Sequence, residues 1–184
     1  MNISIIPDQW ETQRLVVSDS VGTEIPVIQD VCDACSYINE WTGWNPDDHP
    51  GLTMETVLRD GELPPNGSKE FFKLQTIRLK NTKEVIGFFE FYHGFPDENT
   101  FFVLYLTIHP KYQRKGYGQE AVRSLCPLVR GLGYTSIRLV VALKNWPAIR
   151  FWVKSGFNYI VDIRGDPIYS TTTFADLILE IQFN

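Results

Sequence analysis

Apolar residues recur along this chain in two rhythms. Residues 71–79, 84–92, 101–108, 136–142, 157–163 and 176–183 are short runs rich in β-branched and aromatic side chains, and they read as strands. Residues 10–18, with Leu15 and Val17 on one face, read as a strand ahead of them. Between these runs the period lengthens to that of a helix. It does so over residues 24–41 with Pro26 in the first turn, over 52–58, over 119–132, and in a last helix from about Pro147 that Gly156 closes. Turn formers cluster elsewhere: Gly43, Asn45, Pro46, Asp47 and Asp48, then Pro64-Pro65-Asn66-Gly67, then Asn81 and residues 95–99. Pro127 falls inside the third helix and is expected to bend or end it near residues 124–125, leaving its start intact. The order β-α-α-β-β-β-α-β-α-β-β predicts an α/β fold, one domain over residues 1–184, with a mixed central sheet of about seven strands flanked by helices.

Composition narrows the classes. Hydrophobic residues make up 43% of the 184, enough for a packed core and too many for a disordered chain. The formal net charge of −5 argues against a general nucleic-acid surface and mildly favours a cationic partner such as an amine. No window has the length and hydropathy of a membrane helix, and Met1-Asn2-Ile3-Ser4 lacks the basic and apolar regions of a signal peptide, so a cytoplasmic location is expected. Cys32 and Cys35 have Cys-x-x-Cys spacing, but no further ligands or thioredoxin-like setting accompany them. Ile28, Val31, Cys32, Cys35 and Ile38 share one helical face, which predicts small buried thiols rather than a redox pair or a metal site.

The chemistry concentrates after the strand at 101–108. Gln113-Arg114-Lys115-Gly116-Tyr117-Gly118, followed by Gln119, leads into a helix. Glycines admit close backbone approach, and a helix start offers N–H groups without partners and the positive end of a dipole. Arg114 and Lys115 add cationic charge, so the segment suits a phosphate or pyrophosphate. It lacks the Gly-Lys-Ser/Thr of a P-loop, and Ala121 stands where a dinucleotide fingerprint places its third glycine. A tight strand-to-helix connection with surface charges would produce the same letters.

A second motif follows. Asn145-Trp146-Pro147-Ala148-Ile149-Arg150-Phe151-Trp152-Val153-Lys154-Ser155-Gly156-Phe157 resembles motif B of the GNAT N-acetyltransferase superfamily, and the glycine loop resembles its motif A. Motif A spans residues 101–132 here and motif B residues 136–157. The resemblance implies a cosubstrate, acetyl-CoA, with its pyrophosphate on Gln113, Arg114, Lys115, Gly116, Tyr117, Gly118 and Gln119, and no metal. It implies that the main chain of the preceding strand, at Leu106, Thr107 and Ile108, meets the thioester and the pantetheine arm. Asn145 would contact that arm or cap the next helix. Trp152 stands where the family usually has a tyrosine that protonates the departing sulfur; indole is too weak an acid for that, and a packing role suffices for it. Tyr105, Tyr117 and Tyr159 are substitute acids.

The general base is expected at Glu90, an acid between Phe89 and Phe91, with His93, Asp97 and His109 as alternatives. Trp41 and Trp44, beside Asp47, Asp48 and His49, would receive an ammonium group or else plug the core. The function implied is transfer of an acetyl group from acetyl-CoA to a primary amine of a small molecule, with no nucleic-acid or membrane partner. A protein N-terminal or lysine acetyltransferase, and a non-catalytic acyl-CoA sensor, are the alternatives; a homodimer is common in the resembled family.

Overall fold

The computed structural model describes residues 3–183. One eight-stranded sheet runs through the molecule in the order β1-β2-β3-β4-β5-β6-β8-β7. The strands are β1 (Gln9–Glu11), β2 (Leu15–Asp19), β3 (Phe72–Leu79), β4 (Val85–His93), β5 (Thr100–Ile108), β6 (Ser136–Ala142), β7 (Tyr159–Gly165) and β8 (Ala175–Gln182). Every neighbouring pair is antiparallel except β5 and β6. The strand expected over 10–18 is a hairpin, because Thr12 N–H turns back to the Leu15 carbonyl at 2.9 Å. That hairpin accounts for eight strands where the pattern suggested about seven.

Among the described residues five helices flank the sheet: α1 (Ile25–Ala34), α2 (Asn39–Thr42), α3 (Met54–Asp60), α4 (Tyr117–Gly131) and α5 (Trp146–Lys154). The helix expected over 24–41 breaks at Cys35, where ψ is 2°, and a single 3₁₀ turn at Ser36–Ile38 leads into α2. Its apolar face is therefore Ile28, Val31 and Cys35, while Cys32, expected to be buried, is exposed. Pro127 does not end α4, which continues to Gly131. Pro127 and Arg123, whose carbonyl loses its i+4 donor, both lie on the exposed face, where the missing bond is open to solvent.

The sheet separates two apolar layers. One holds Phe89, Phe91, Val103, Ile137 and Leu139 against Ala121, Val122, Leu125 and Val129 of α4. The other holds Phe72, Leu74, Phe88, Tyr92 and Phe102 against Ile28 and Val31 of α1 and Met54 and Val57 of α3. Alternation along β4 sends Phe89 and Phe91 to the first layer and Phe88, Glu90 and Tyr92 toward the second.

Candidate active site

The sheet opens where its only parallel pair comes apart. β5 and β6 are in register from Thr100 opposite Ser136 to Val103 opposite Leu139, and no further, although β5 continues to Ile108. At that point β5 also changes register against β4: Phe91 faces Val103 and Glu90 faces Tyr105, which leaves Leu104 as an extra residue. Such a bulge bends and twists its strand, which carries the end of β5 away from β6. Gly87 allows β4 to follow, since a Cβ there would stand 2.2 Å from the Thr107 carbonyl oxygen. His109 N–H bonds back to Ile86 at 2.9 Å, so by alternation Thr107 and Tyr105 direct their amides to β4, while Leu106 and Ile108 direct theirs into the gap. The Ile108 carbonyl already accepts from Gln113 Nε2 at 2.8 Å.

The loop at the end of the gap has the backbone a helix-start anion site requires. Arg114 and Gly116 take positive φ, 60° and 83°. The first helical bond of α4 runs from Glu120 N–H to the Gly116 carbonyl at 3.0 Å, so the N–H groups of Tyr117, Gly118 and Gln119 have no helical acceptor. A Cβ on Gly118 would come within 3.3 Å of the Phe151 ring, which explains the glycine between α4 and α5. A cleft of about 730 Å³ joins loop and gap. Leu106, Thr107 and Ile108 form its floor, and Gln113, Arg114, Gly116, Tyr117, Gly118 and Gln119 form one end. Asn145 and Trp152 form a wall from α5, and Cys35, Tyr37 and Trp41 the opposite wall.

The side chains expected at this site are not all turned toward the cleft. Asn145 caps α5, accepting from Ala148 N–H at 3.2 Å. Gln113 is turned back, with its amide on Ile108 and near Tyr37. Lys115 does not line the cleft; its ammonium lies 5.3 Å from the Tyr112 ring centroid. Trp152 is 7% exposed and packs edge-to-face on Phe151 and Phe157, at 4.9 and 5.0 Å between centroids, so it serves packing and cleft wall together. Of the three candidate tyrosines, Tyr117 alone is among the cleft residues.

Glu90 lies on the other face of β4 and does not line the cleft. It is 2% exposed, and its Oε2 has no hydrogen-bond partner. Burial pushes its carboxyl well above the usual carboxylate range; the Glu62 carboxylate adds to the rise and the Lys69 ammonium opposes it. Glu62, in the loop after α3, is itself raised by burial. Burial, then the charges of Glu62, Glu90 and Cys32, push the Tyr105 hydroxyl up.

The alternative bases are otherwise engaged. His93 Nδ1 donates to the Phe71 carbonyl at 2.7 Å and Nε2 accepts from Ile6 N–H at 3.0 Å; burial lowers its pKa to about 4. Asp97 accepts from Asn99 N–H and the Thr100 hydroxyl in a turn. His109 Nδ1 accepts from Lys111 N–H at the start of the 3₁₀ turn Pro110–Tyr112.

Trp41 and Trp44 are half-buried rather than core plugs: Trp41 meets Tyr37 edge-on at 5.8 Å and Trp44 stacks on His49 at 5.7 Å. Cys35, whose thiol burial pushes up to about 11, directs Sγ at the Ile108 carbonyl at 3.6 Å. Among the described residues no group of three or more His, Cys, Asp or Glu is placed to hold a metal. None of their helices is long and apolar enough to cross a membrane.

Sequence reasoning missed the support behind the loop. Arg14, in the turn between β1 and β2, reaches Glu120 and Lys115 across about a hundred positions of chain. An acidic residue in the first turn of α4 was the only signal, and it did not name its partner.

Comparison with known proteins agrees with this geometry. The family model described as "Acetyltransferase (GNAT) family" matches residues 37–157. No curated protein matches the chain by sequence. Among solved structures, a probable acetyltransferase of the GNAT family from Chromobacterium violaceum ATCC 12472 superimposes with a TM-score of 0.77 at 10% identity, over 99% of this chain and 90% of that one. A spermidine N-acetyltransferase chimera from Vibrio cholerae and hSSAT gives 0.66 at 15% identity, over 91% and 95%. The ribosomal-protein-S18-alanine N-acetyltransferase of Escherichia coli gives 0.60 at 18% identity, over 92% and 94%. At such identities the structures share a fold. The family model covers more than half of the chain, and the chain belongs to the GNAT family of acetyltransferases.

Proposed function

We propose that this protein transfers the acetyl group of acetyl-CoA to the primary amine of a cationic small molecule. The observation that carries the proposal is the gap between β5 and β6 beside the positive-φ loop at Arg114 and Gly116. Unpaired amides of Leu106 and Ile108 suit an extended arm with its own amide groups. The N–H groups of Tyr117, Gly118 and Gln119, with Arg114 at the rim, suit a pyrophosphate. Acetyl-CoA supplies an activated thioester whose thiol, with a pKa near ~8.5, leaves acceptably as thiolate at neutral pH. No strong acid is then required, which accommodates Trp152 at the tyrosine position.

The remaining task is removing a proton from the amine. Glu90 and Glu62 give the α1/α3 side of β5 a paired acidic character that attracts an ammonium ion. An approaching cation stabilises the Glu90 carboxylate, which accepts the proton, directly or through water, as the nitrogen bonds to the acetyl carbon and the carbon–sulfur bond breaks. The formal charge of −5 favours the same class of acceptor. Trp152 in place of an acid also supports a second reading, a non-catalytic acyl-CoA-binding protein. Mass spectrometry of an equimolar mixture of small amines and peptides, incubated with protein and acetyl-CoA, separates the readings. Acetylated small amines are expected. Acetylated peptide N-termini or lysines would instead favour a protein acceptor, and no product at all would favour the sensor.

A further inference from the structure

Arg14 makes four distinct contacts with the start of α4 and the loop before it. Its backbone N–H donates to Glu120 Oε1 at 2.7 Å and its Nε to Glu120 Oε2 at 2.6 Å. Its Nη1 donates to the Lys115 carbonyl at 3.2 Å. Its guanidinium carbon lies 4.4 Å from the Tyr117 ring centroid, and Nη2 lies 3.4 Å from where a Cβ on Gly116 would stand. Thr12, two residues earlier, adds a hydroxyl donor to Glu120 Oε1 at 2.5 Å. Neither Arg14 nor Thr12 belongs to either sequence motif.

Two consequences follow from elementary geometry. A trans peptide points its C=O and N–H in opposite directions. With the Lys115 carbonyl held on Arg14, the Gly116 N–H points the other way; Gly116 lines the cleft and Arg14 does not. Glycine at this position carries no Cβ that would otherwise bias the peptide plane, so an external tether decides it. The second consequence concerns charge. A carboxylate in the first turn supports a helix but repels an anion seeking the same dipole end. Here both Glu120 oxygens are engaged by Arg14 and Thr12, and the pair is partly buried. Burial alone would raise the Glu120 carboxyl, but the Thr12 hydroxyl and the Arg14 donors outweigh it and keep it ionised.

We propose that Arg14 is a positioning residue for the pyrophosphate loop, turning the Gly116 N–H into the cleft and masking the Glu120 carboxylate from the bound anion. The inference rests on the reading of residues 113–118 as a pyrophosphate cradle.

The test is calorimetric titration of CoA into wild type, Arg14→Ala, Glu120→Gln and the Arg14→Ala/Glu120→Gln double variant, at low and high salt. A bare carboxylate one helical turn from the anion, in partly screened surroundings, weakens binding roughly tenfold. Arg14→Ala is expected to show that loss, the loss is expected to shrink as salt rises, and the double variant is expected to recover a part of it. A purely structural defect would be insensitive to salt and would not be rescued by removing Glu120. If Arg14→Ala does not fold, Arg14→Lys substitutes: it keeps a cation but cannot reach Glu120 and Lys115 together, and it is expected to bind CoA more weakly than wild type. A folded Arg14 variant that binds CoA as tightly as wild type at low salt, or one whose loss is the same at both salts and is not relieved by Glu120→Gln, overturns the proposal. Wild type that fails to bind CoA overturns instead the cradle reading on which it rests.

Discussion

Glu90 is held at 2% exposure with one oxygen unpartnered, an arrangement that costs stability. Two consequences can be measured. Glu90→Gln keeps the shape and removes the titration, and kcat/KM is expected to fall roughly 10²-fold above the raised titration of Glu90, where wild type holds the accepting carboxylate, and to fall least at low pH, where both side chains are neutral. An unchanged pH–rate profile would make Glu90 structural. Stability should move the other way. The folded carboxyl titrates above its unfolded value of about 4.3, so the native state binds the extra proton and wild type loses stability as pH rises through that value toward the folded one. Glu90→Gln lacks this limb, and its advantage in urea midpoint over wild type should grow as pH rises above about 5. Trp152→Tyr tests acid catalysis. If the thiolate leaves unaided, turnover should be kept or raised; a loss of about 10⁴-fold in a folded variant would assign Trp152 an essential role. The acid between Phe89 and Phe91 was visible in the sequence because strand alternation carries it to the core face with Phe88. The coupling of Glu62 to Glu90 was not, since the Glu62 loop carries no periodicity and its placement depends on how α3 packs.

The decisive element is the loop from β5 to α4, together with the bulge that prepares it. Gly116→Val places a β-branched residue at φ 83°, a conformation such residues avoid, and directs bulk toward Arg14. Acetyl-CoA affinity should fall by an order of magnitude or more, as measured by calorimetry on a variant whose far-UV dichroism matches wild type; unchanged affinity would make the loop a connector only. Motif spacing located this loop and the α5 start to within two residues, because glycines, Pro147 and Gly156 punctuate the chain there. Three features escaped for physical reasons. The turn at Thr12 has neither glycine nor proline, so the hairpin read as one strand. The break at Cys35 depends on tertiary contacts with β5 rather than on a breaker residue. Pro127 left α4 unbroken because the carbonyl it orphans, that of Arg123, lies on the exposed face.

At the scale of the molecule, the sheet carries two apolar layers and opens at the one parallel junction between them. The α4/α5 side of that opening carries the glycine loop and the α1/α3 side carries the buried carboxylates, so an acyl donor and a cationic acceptor would approach from opposite faces. The order of elements along the chain, the layered mixed sheet and the glycine loop were legible from pattern and motif. The splay was not, since Leu104 looks like any other strand leucine, and the acceptor's chemical class rests on charges brought together only by folding. The measurement that bears most directly on the account is the initial rate of free-thiol release from acetyl-CoA, with and without a cationic primary amine, using purified wild type. Release is expected to be saturable in both reactants and dependent on the amine. Release at the uncatalysed rate across small amines and peptides alike, from protein that still binds acetyl-CoA, would contradict it.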